Sequence, residues 1–424
     1  MTVLSSPALA RTPKKADWLL RWGCGQRKTI YLCAFVFGAC ALVLLVYLQK
    51  AWGQYQAETP GHPALFGEFF ALWSYAKILA AHPASELYDL TTLHARQVAL
   101  GMAPSAQNPF PYPPTFLIVL WPLNLLPYAA AYLCWTFGTL ALFIWAVMRT
   151  CSRMPFSVIG AIVAPTTVAC IGFGQSGFLA AALMIAGIRL AASRPVLSGI
   201  LIGMLSYKPQ LGLLVPIALA AAGLWPAFAV ACASIITLAV VTTMVFGWAV
   251  WPAWLAMLPS YAAIFDKEAT LQYIPTVIGN LQMLGVALPI AKAVQALVTV
   301  AVAGIIWRCF QRSSANLAAA ALLVGTFLAT PHAFIYDMPM IAAAFILFIE
   351  ELRQTTGEFS LAEVLILLVA FMFPLLMFAS ELSLPFSSVP LMVLFGLILW
   401  QERRSIFSLP QTAPYRCDKS RVRV

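Results

Sequence analysis

TIYLCAFVFGACALVLLVYL occupies residues 29–48 and contains no Asp, Glu, Lys or Arg. About twenty apolar residues in helical form rise about 30 Å, the thickness of a bilayer's hydrocarbon core. The run follows a head carrying Arg11, Lys14, Lys15, Arg21, Arg27 and Lys28. Behind it, Gln49-Lys50-Ala51-Trp52-Gly53 offers no small-x-small cleavage pattern. The expectation is an uncleaved membrane helix whose basic head, residues 1–28, stays in the cytoplasm.

The rest of the chain extends the same pattern. Of 424 residues 62% are hydrophobic and only 9% charged, against about 25% charged in soluble domains; mean hydropathy is +0.87. No soluble core hides that much apolar surface, so a soluble enzyme and a disordered chain are excluded. The net charge of +10 does not point to nucleic acid, because the basic residues sit at the two ends and between apolar runs. The nine cysteines form no CxxC pair and lie in or beside apolar runs, which suits small membrane hydrophobes better than disulfides or zinc ligands.

Further apolar runs cover approximately 128–148, 156–172, 177–191, 195–207, 211–223, 227–246, 287–307, 315–329, 338–349, 361–379 and 386–400. The pattern predicts an all-α polytopic membrane protein of about 12 transmembrane helices over residues 29–400. Alternate threading puts Arg149, Arg153, Arg189, Arg194, Arg308, Arg312, Arg353 and the basic tail of 401–424 on the cytoplasmic side with the head. That side then holds 19 of the 25 basic residues. Residues 114–126 are apolar enough to span, but Pro113, Pro114 and Pro122 suit a short helix at the outer interface.

Residues 50–127 form the longest non-spanning stretch, on the outer side, and a loop far longer than a connector points to function. It holds Glu58, Glu68, Glu86 and Asp89, four of the fifteen acidic residues. Glu68 lies in Leu65-Phe66-Gly67-Glu68-Phe69-Phe70, where desolvation would raise its pKa and make it a useful base. The alternative is an interfacial acid facing water. Ser206-Tyr207-Lys208-Pro209-Gln210 splits an apolar run, and a lysine there needs a partner, water or a snorkelling path. Gly172-Phe173-Gly174-Gln175-Ser176-Gly177 and Thr330-Pro331-His332-Ala333-Phe334-Ile335-Tyr336-Asp337 thread to that same face. Trp248, Trp251, Trp254 and Tyr261 read as an interfacial aromatic belt, or as a rim for a lipid substrate.

An enzyme at an outer membrane surface has no access to cytoplasmic nucleotide sugars and draws on a sugar carried by a lipid phosphate. Transfer then needs a carboxylate to take the acceptor's proton and donor groups to hold the leaving phosphate. An acidic loop, a lysine and a histidine meet that need.

These stretches resemble glycosyltransferase family 87, the polyprenyl-phosphate-mannose-dependent mannosyltransferase-like membrane proteins. The similar segments are Glu68-Phe69 through Leu87-Tyr88-Asp89, Pro109-Phe110-Pro111-Tyr112-Pro113-Pro114, Phe173-Gly174-Gln175, Tyr207-Lys208-Pro209-Gln210, and Pro331-His332 through Tyr336-Asp337, in family order from about 66 to 345. The resemblance implies a GT-C-like bundle with juxtamembrane helices in its first outer loop. It also implies an inverting transfer of a hexose, mannose by default, from a polyprenyl-phosphate donor to a glycolipid or glycan acceptor at the periplasmic face of a bacterial inner membrane. Glu68 stands where the family usually has Asp, with the carboxylate one methylene further out; Asp89 is the reserve base or a helix cap. By the same resemblance Lys208 would contact the donor phosphate, His332 the phosphate or acceptor, and Gln175 the sugar hydroxyls. Gln210, Tyr336, Asp337, Tyr112 and Arg96 are further donor-binding candidates. No cofactor and no metal site are expected. A secondary transporter working at the Lys208-Pro209 break, an O-antigen ligase or polymerase, and a scaffold remain rival readings.

Overall fold

Proline and glycine decide where the helices stop. The computed structural model describes residues 49, 67–151, 155–265, 271, 273–355, 367–373 and 385–408. The apolar run at 29–48, the basic head, Glu58, most of 361–379 and the chain beyond 408 lie outside the described residues.

The segment read as the outer loop is itself helical. It runs through α1 (Gly67–Ala81), a 3-10 turn (Ala84–Tyr88), α2 (Leu90–Ala99), and α3 (Phe116–Leu120) continuing into a second 3-10 turn (Trp121–Leu125). α4 (Tyr128–Thr150), α5 (Pro155–Val163), α6 (Pro165–Phe173), α7 (Gly177–Leu190) and α8 (Pro195–Met204) follow. Then come α9 (Val215–Ala221), α10 (Trp225–Phe246), α11 (Val250–Phe265), α12 (Val277–Met283) and α13 (Leu288–Arg312). α14 (Ala315–Ala329), α15 (Pro339–Thr355) and α16 (Val389–Ser408) complete the set, with no strand among the described residues.

Among the described residues three helices, α4, α10 and α13, are long and apolar enough to cross a membrane; of the about 12 spans expected, 29–48 and most of 361–379 lie outside the described residues. The breaks explain part of the difference. Pro165 opens α6 directly after α5, so the expected span at 156–172 is two helices of nine residues each. The expected span at 211–223 contains only α9, seven residues or about 10 Å of rise. α3 with its 3-10 extension is likewise short, and Trp121 and Leu125 are exposed on it.

α7 and α14 are apolar all round and buried almost throughout, which makes them the core. α14 packs on α13, α15 and α16, and α7 packs on α4 and α8. α8 meets α10 closely: a Cβ on Gly199 would fall 2.5 Å from Val230 Cβ, and one on Gly203 2.4 Å from Ser234 Cβ. This Gly-x-x-x-Gly stripe lets two backbones approach in the manner of membrane helix pairs. The outer helices turn apolar side chains outward, as at Met244 on α10 and Val300 on α13.

Polar groups collect at opposite ends of the core helices. At one end Arg308 Nη2 reaches Glu402 Oε2 at 2.7 Å, Asn316 Nδ2 donates to Glu351 Oε2 at 3.2 Å, and Arg189 Nε donates to the Thr150 carbonyl at 2.7 Å. At the other, the start of α7 faces the segment between α14 and α15: Gly177 sits so close to the Tyr336 carbonyl that any Cβ there would overlap it.

Candidate active site

Glu68 is the second residue of α1 and half-buried. Its neighbour Phe69 is fully buried, edge-on to Tyr132 with ring centroids 5.3 Å apart. α6 ends at Gly174 in the left-handed region (φ +66°), where a Cβ would come within 2.6 Å of Phe69 Cβ. Glycine therefore serves twice here, for the turn and for the close approach. That approach delivers the next residue to Glu68. Gln175 Nε2 donates to Glu68 Oε2 at 2.9 Å, while Gln175 Oε1 accepts from the Tyr112 hydroxyl at 3.1 Å and from the Ser176 N–H at 3.4 Å. With donors on one end and a carboxylate on the other, the amide has one satisfying orientation.

Lys208 follows the 3-10 turn Leu205–Tyr207 and is buried, with 2% of its surface exposed. Its Nζ lies 2.5 Å from Asp337 Oδ1, and Asp337 Oδ2 accepts from the Phe334 N–H at 3.3 Å. The rings of Tyr336, Tyr112 and Tyr207 surround the ammonium at 5.1, 5.9 and 6.0 Å from their centroids. Tyr207 donates to the Ser176 carbonyl at 2.9 Å and stacks on Phe116 with centroids 4.4 Å apart. A buried charge is tolerable in such a setting because it is paired and enclosed by polarisable rings.

Burial raises the Glu68 carboxyl above the ordinary range; the Gln175 hydrogen bond and the Lys208 charge offset part of that rise. Burial pushes His332 down to about 4, with Lys208 adding to the effect and Asp337 opposing it. At neutral pH His332 is thus an uncharged imidazole, able to donate from one nitrogen and accept at the other.

The structure brings Glu68, Tyr112, Gln175, Lys208, Tyr336 and Asp337 together, with His332 joined at the edge through a 3.4 Å hydrogen bond between its Nε2 and the Tyr261 hydroxyl. It leaves others aside. Asp89 is exposed and caps α2, accepting from the Thr92 N–H at 2.7 Å, and that bond lowers its pKa. Arg96 pairs with Glu86 at 2.8 Å. Gln210 is half-buried, outside these hydrogen bonds.

The model of glycosyltransferase family 87 matches residues 110–331, more than half of the chain. The chain belongs to glycosyltransferase family 87. It is therefore a glycosyltransferase, and its apolar helices agree with a membrane enzyme. No curated protein and no solved structure matches it. Within this family-87 chain the matched region includes Tyr112, Gln175, Lys208 and Gln210 and stops short of Glu68 on one side and His332 on the other. The family match and the buried network thus overlap from independent directions. Among the described residues no three His, Cys, Asp or Glu side chains gather as metal ligands.

Several residues of this family-87 site escape a reading by pattern. Tyr207 and Ser176 lie inside polar stretches that stand out in the sequence, yet their partners are set by packing. Tyr261 and Trp254 read as a belt, but Trp254 Nε1 donates to the Pro111 carbonyl at 3.2 Å and Tyr261 reaches His332. Trp248 is 72% exposed. Tyr75, whose hydroxyl donates to the Pro109 carbonyl at 2.6 Å, fixes the proline-rich loop to α1. The only advance signal for Tyr75 is its place two helical turns from Glu68.

Proposed function

We propose that the protein moves a hexose, mannose by preference, from a polyprenyl-phosphate donor to a glycolipid or glycan acceptor at the periplasmic face of a bacterial inner membrane, with Glu68 as general base. The observation that carries this reading is the half-buried Glu68 carboxylate, made more basic by its surroundings and held by Gln175.

In the proposed step the acceptor hydroxyl gives its proton to Glu68 while its oxygen forms a bond to the sugar C1. The bond from C1 to the phosphate oxygen breaks, its electron pair leaves with the phosphate, and the anomeric configuration inverts. A carboxylate of raised pKa is well matched to that proton transfer near neutral pH. Lysine carries three donors, of which Asp337 takes one, so Lys208 retains N–H groups for the leaving phosphate. Neutral His332 supplies a further donor. No cofactor or metal enters this proposal; the energy comes from the phosphate ester of the donor lipid.

The test is release of free polyprenyl phosphate by the purified protein, supplied with polyprenyl-phosphate sugars, mannose first, and a crude membrane-lipid acceptor. Acceptor-dependent release that disappears in Glu68→Gln is the expected result. Release unaffected by Glu68→Gln removes the base assignment, and no release from any donor removes the lipid-phosphate donor.

A further inference from the structure

Pro109-Phe110-Pro111-Tyr112-Pro113-Pro114 has four prolines and so lacks most of its backbone donors. It runs outside any helix, and its carbonyls are taken up by side chains from three directions. The Tyr75 hydroxyl on α1 donates to the Asn108 and Pro109 carbonyls at 3.1 and 2.6 Å. Trp254 Nε1 on α11 donates to that of Pro111 at 3.2 Å, and the Tyr88 hydroxyl donates to that of Tyr112 at 3.1 Å. The strap is thus fixed to the helix that carries Glu68.

This anchoring aims one side chain. The Tyr112 ring is buried against Phe110 and Phe116, with centroids 5.6 and 4.6 Å away, and its hydroxyl donates to Gln175 Oε1 at 3.1 Å. Burial, with the Asp337 charge adding to it and the Ser176 side chain opposing, holds this phenol far above its ordinary range. It is therefore a donor at every working pH and not a base.

The two ends of a glutamine amide are nearly alike in shape and opposite in hydrogen-bonding sense. In the observed orientation Nε2 donates to Glu68 Oε2 at 2.9 Å. Two donors hold the other end: the Tyr112 hydroxyl and, at the longer distance of 3.4 Å, the Ser176 N–H. A reversed amide would set Oε1 against the Glu68 carboxylate, an arrangement that only a protonated carboxyl satisfies. Among the described residues Lys208 also acts on Glu68, favouring its ionised form. Tyr75, Tyr112, Tyr261 and Tyr336 feel its charge as well, and burial keeps all four phenols neutral.

We infer that Tyr112 is a positioning residue for Glu68: its hydroxyl fixes the Gln175 amide with the N–H end toward the carboxylate, and it acts on Glu68 through that amide. The inference rests on the transferase reading above and deepens it. It also gives Tyr112 a different task from the donor binding that the family resemblance implies.

The test is an infrared titration of the full-length protein in detergent, with the Glu68 carboxyl band assigned by its loss in Glu68→Gln. Tyr112→Phe keeps the ring and removes the donor. Its Glu68 midpoint should rise by about half to one pH unit, so that kcat/KM on the acid limb falls about three- to tenfold at a given pH. In a Gln175→Ala background the same substitution should move the midpoint no further. Fluorotyrosine at position 112, a stronger donor of nearly the same shape, should lower the midpoint and keeps the question open to refutation if Tyr112→Phe does not fold. Tyr88→Phe, which frees the Tyr112 carbonyl but spares the hydroxyl, should leave the midpoint near that of wild type.

An unmoved midpoint in Tyr112→Phe overturns the inference, as does a shift of equal size in the Gln175→Ala background. So does a shift as large in Tyr88→Phe, which would mark loosened packing. A raised KM for the lipid-phosphate sugar with the midpoint in place would make Tyr112 a donor contact instead. Lipid-phosphate release is followed on the same wild-type preparation. Its absence with every donor overturns the transferase reading, while the infrared midpoints decide separately whether Tyr112 acts on Glu68.

Discussion

At the scale of single residues, the site consists of two linked pairs, Glu68 with Gln175 and Lys208 with Asp337, joined through Tyr112. Replacing Glu68 by Gln keeps the shape and removes the base, so kcat should fall by about 10²–10⁴-fold, measured as sugar transfer, while the thermal midpoint in detergent stays close to wild type. Gln175 favours the ionised form of Glu68. Its removal in Gln175→Ala should push the Glu68 pKa further up, and activity that needs the carboxylate should then be lost at a higher pH on acidification; an acid limb of kcat/KM that stays in place contradicts that. Lys208 and Asp337 are both buried. Lys208→Met should destabilise by about 3–5 kcal/mol, because Asp337 is left charged and unpaired, and Lys208→Met with Asp337→Asn should recover most of the loss in thermal denaturation. Lys208 was legible as an oddity in an apolar run. Its partner was not, since nothing in a linear pattern pairs position 208 with position 337.

At the scale of elements, glycines set the distances on which these pairs depend. Gly174 and Gly177 flank Gln175 and Ser176, one against Phe69 and the other against the Tyr336 carbonyl. Gly177→Ala should therefore separate α7 from the Asp337 turn and lower both transfer and thermal stability. By comparison, Gly223→Ala has open space around its Cβ, so it should strain only its left-handed turn (φ +68°) and leave transfer largely intact. The polar stretches containing Gln175, Lys208 and His332 stood out in the sequence because each interrupts an apolar run. The Gly-x-x-x-Gly stripe at Gly199 and Gly203 was hidden, because glycine in a membrane run reads as filler until a second helix is seen against it. Helix lengths were harder still: Pro165 and Pro209 divide runs whose hydropathy is continuous, so the apolar signal persists across a backbone that has turned.

For the whole molecule, composition alone excluded a soluble fold, and the all-helical architecture followed. What hydropathy could not rank was which helices face lipid and which face protein, since α7, α14 and α10 are apolar alike while their neighbours differ. Cys134 on α4 and Cys232 on α10 are exposed, whereas Cys151, Cys170 and Cys309 are buried. With Cys24, Cys33, Cys40 and Cys417 replaced by Ser, a lipid-soluble maleimide should label Cys134 and Cys232 in membranes and a water-soluble one should not. Labelling of both by the water-soluble reagent would mean those faces meet water instead of acyl chains. The Lys208–Asp337 pair also has a consequence in time. Its two members are separated by 129 positions, so at about 5–20 residues per second a ribosome delivers the carboxylate on the order of ten seconds after the lysine. Through that interval the half-made chain carries a lysine whose carboxylate partner has not yet been made, and a cation held in apolar surroundings without its partner is disfavoured. Nascent chains stopped ahead of Asp337 should accordingly be recognised and degraded by membrane quality control faster than chains stopped just beyond it.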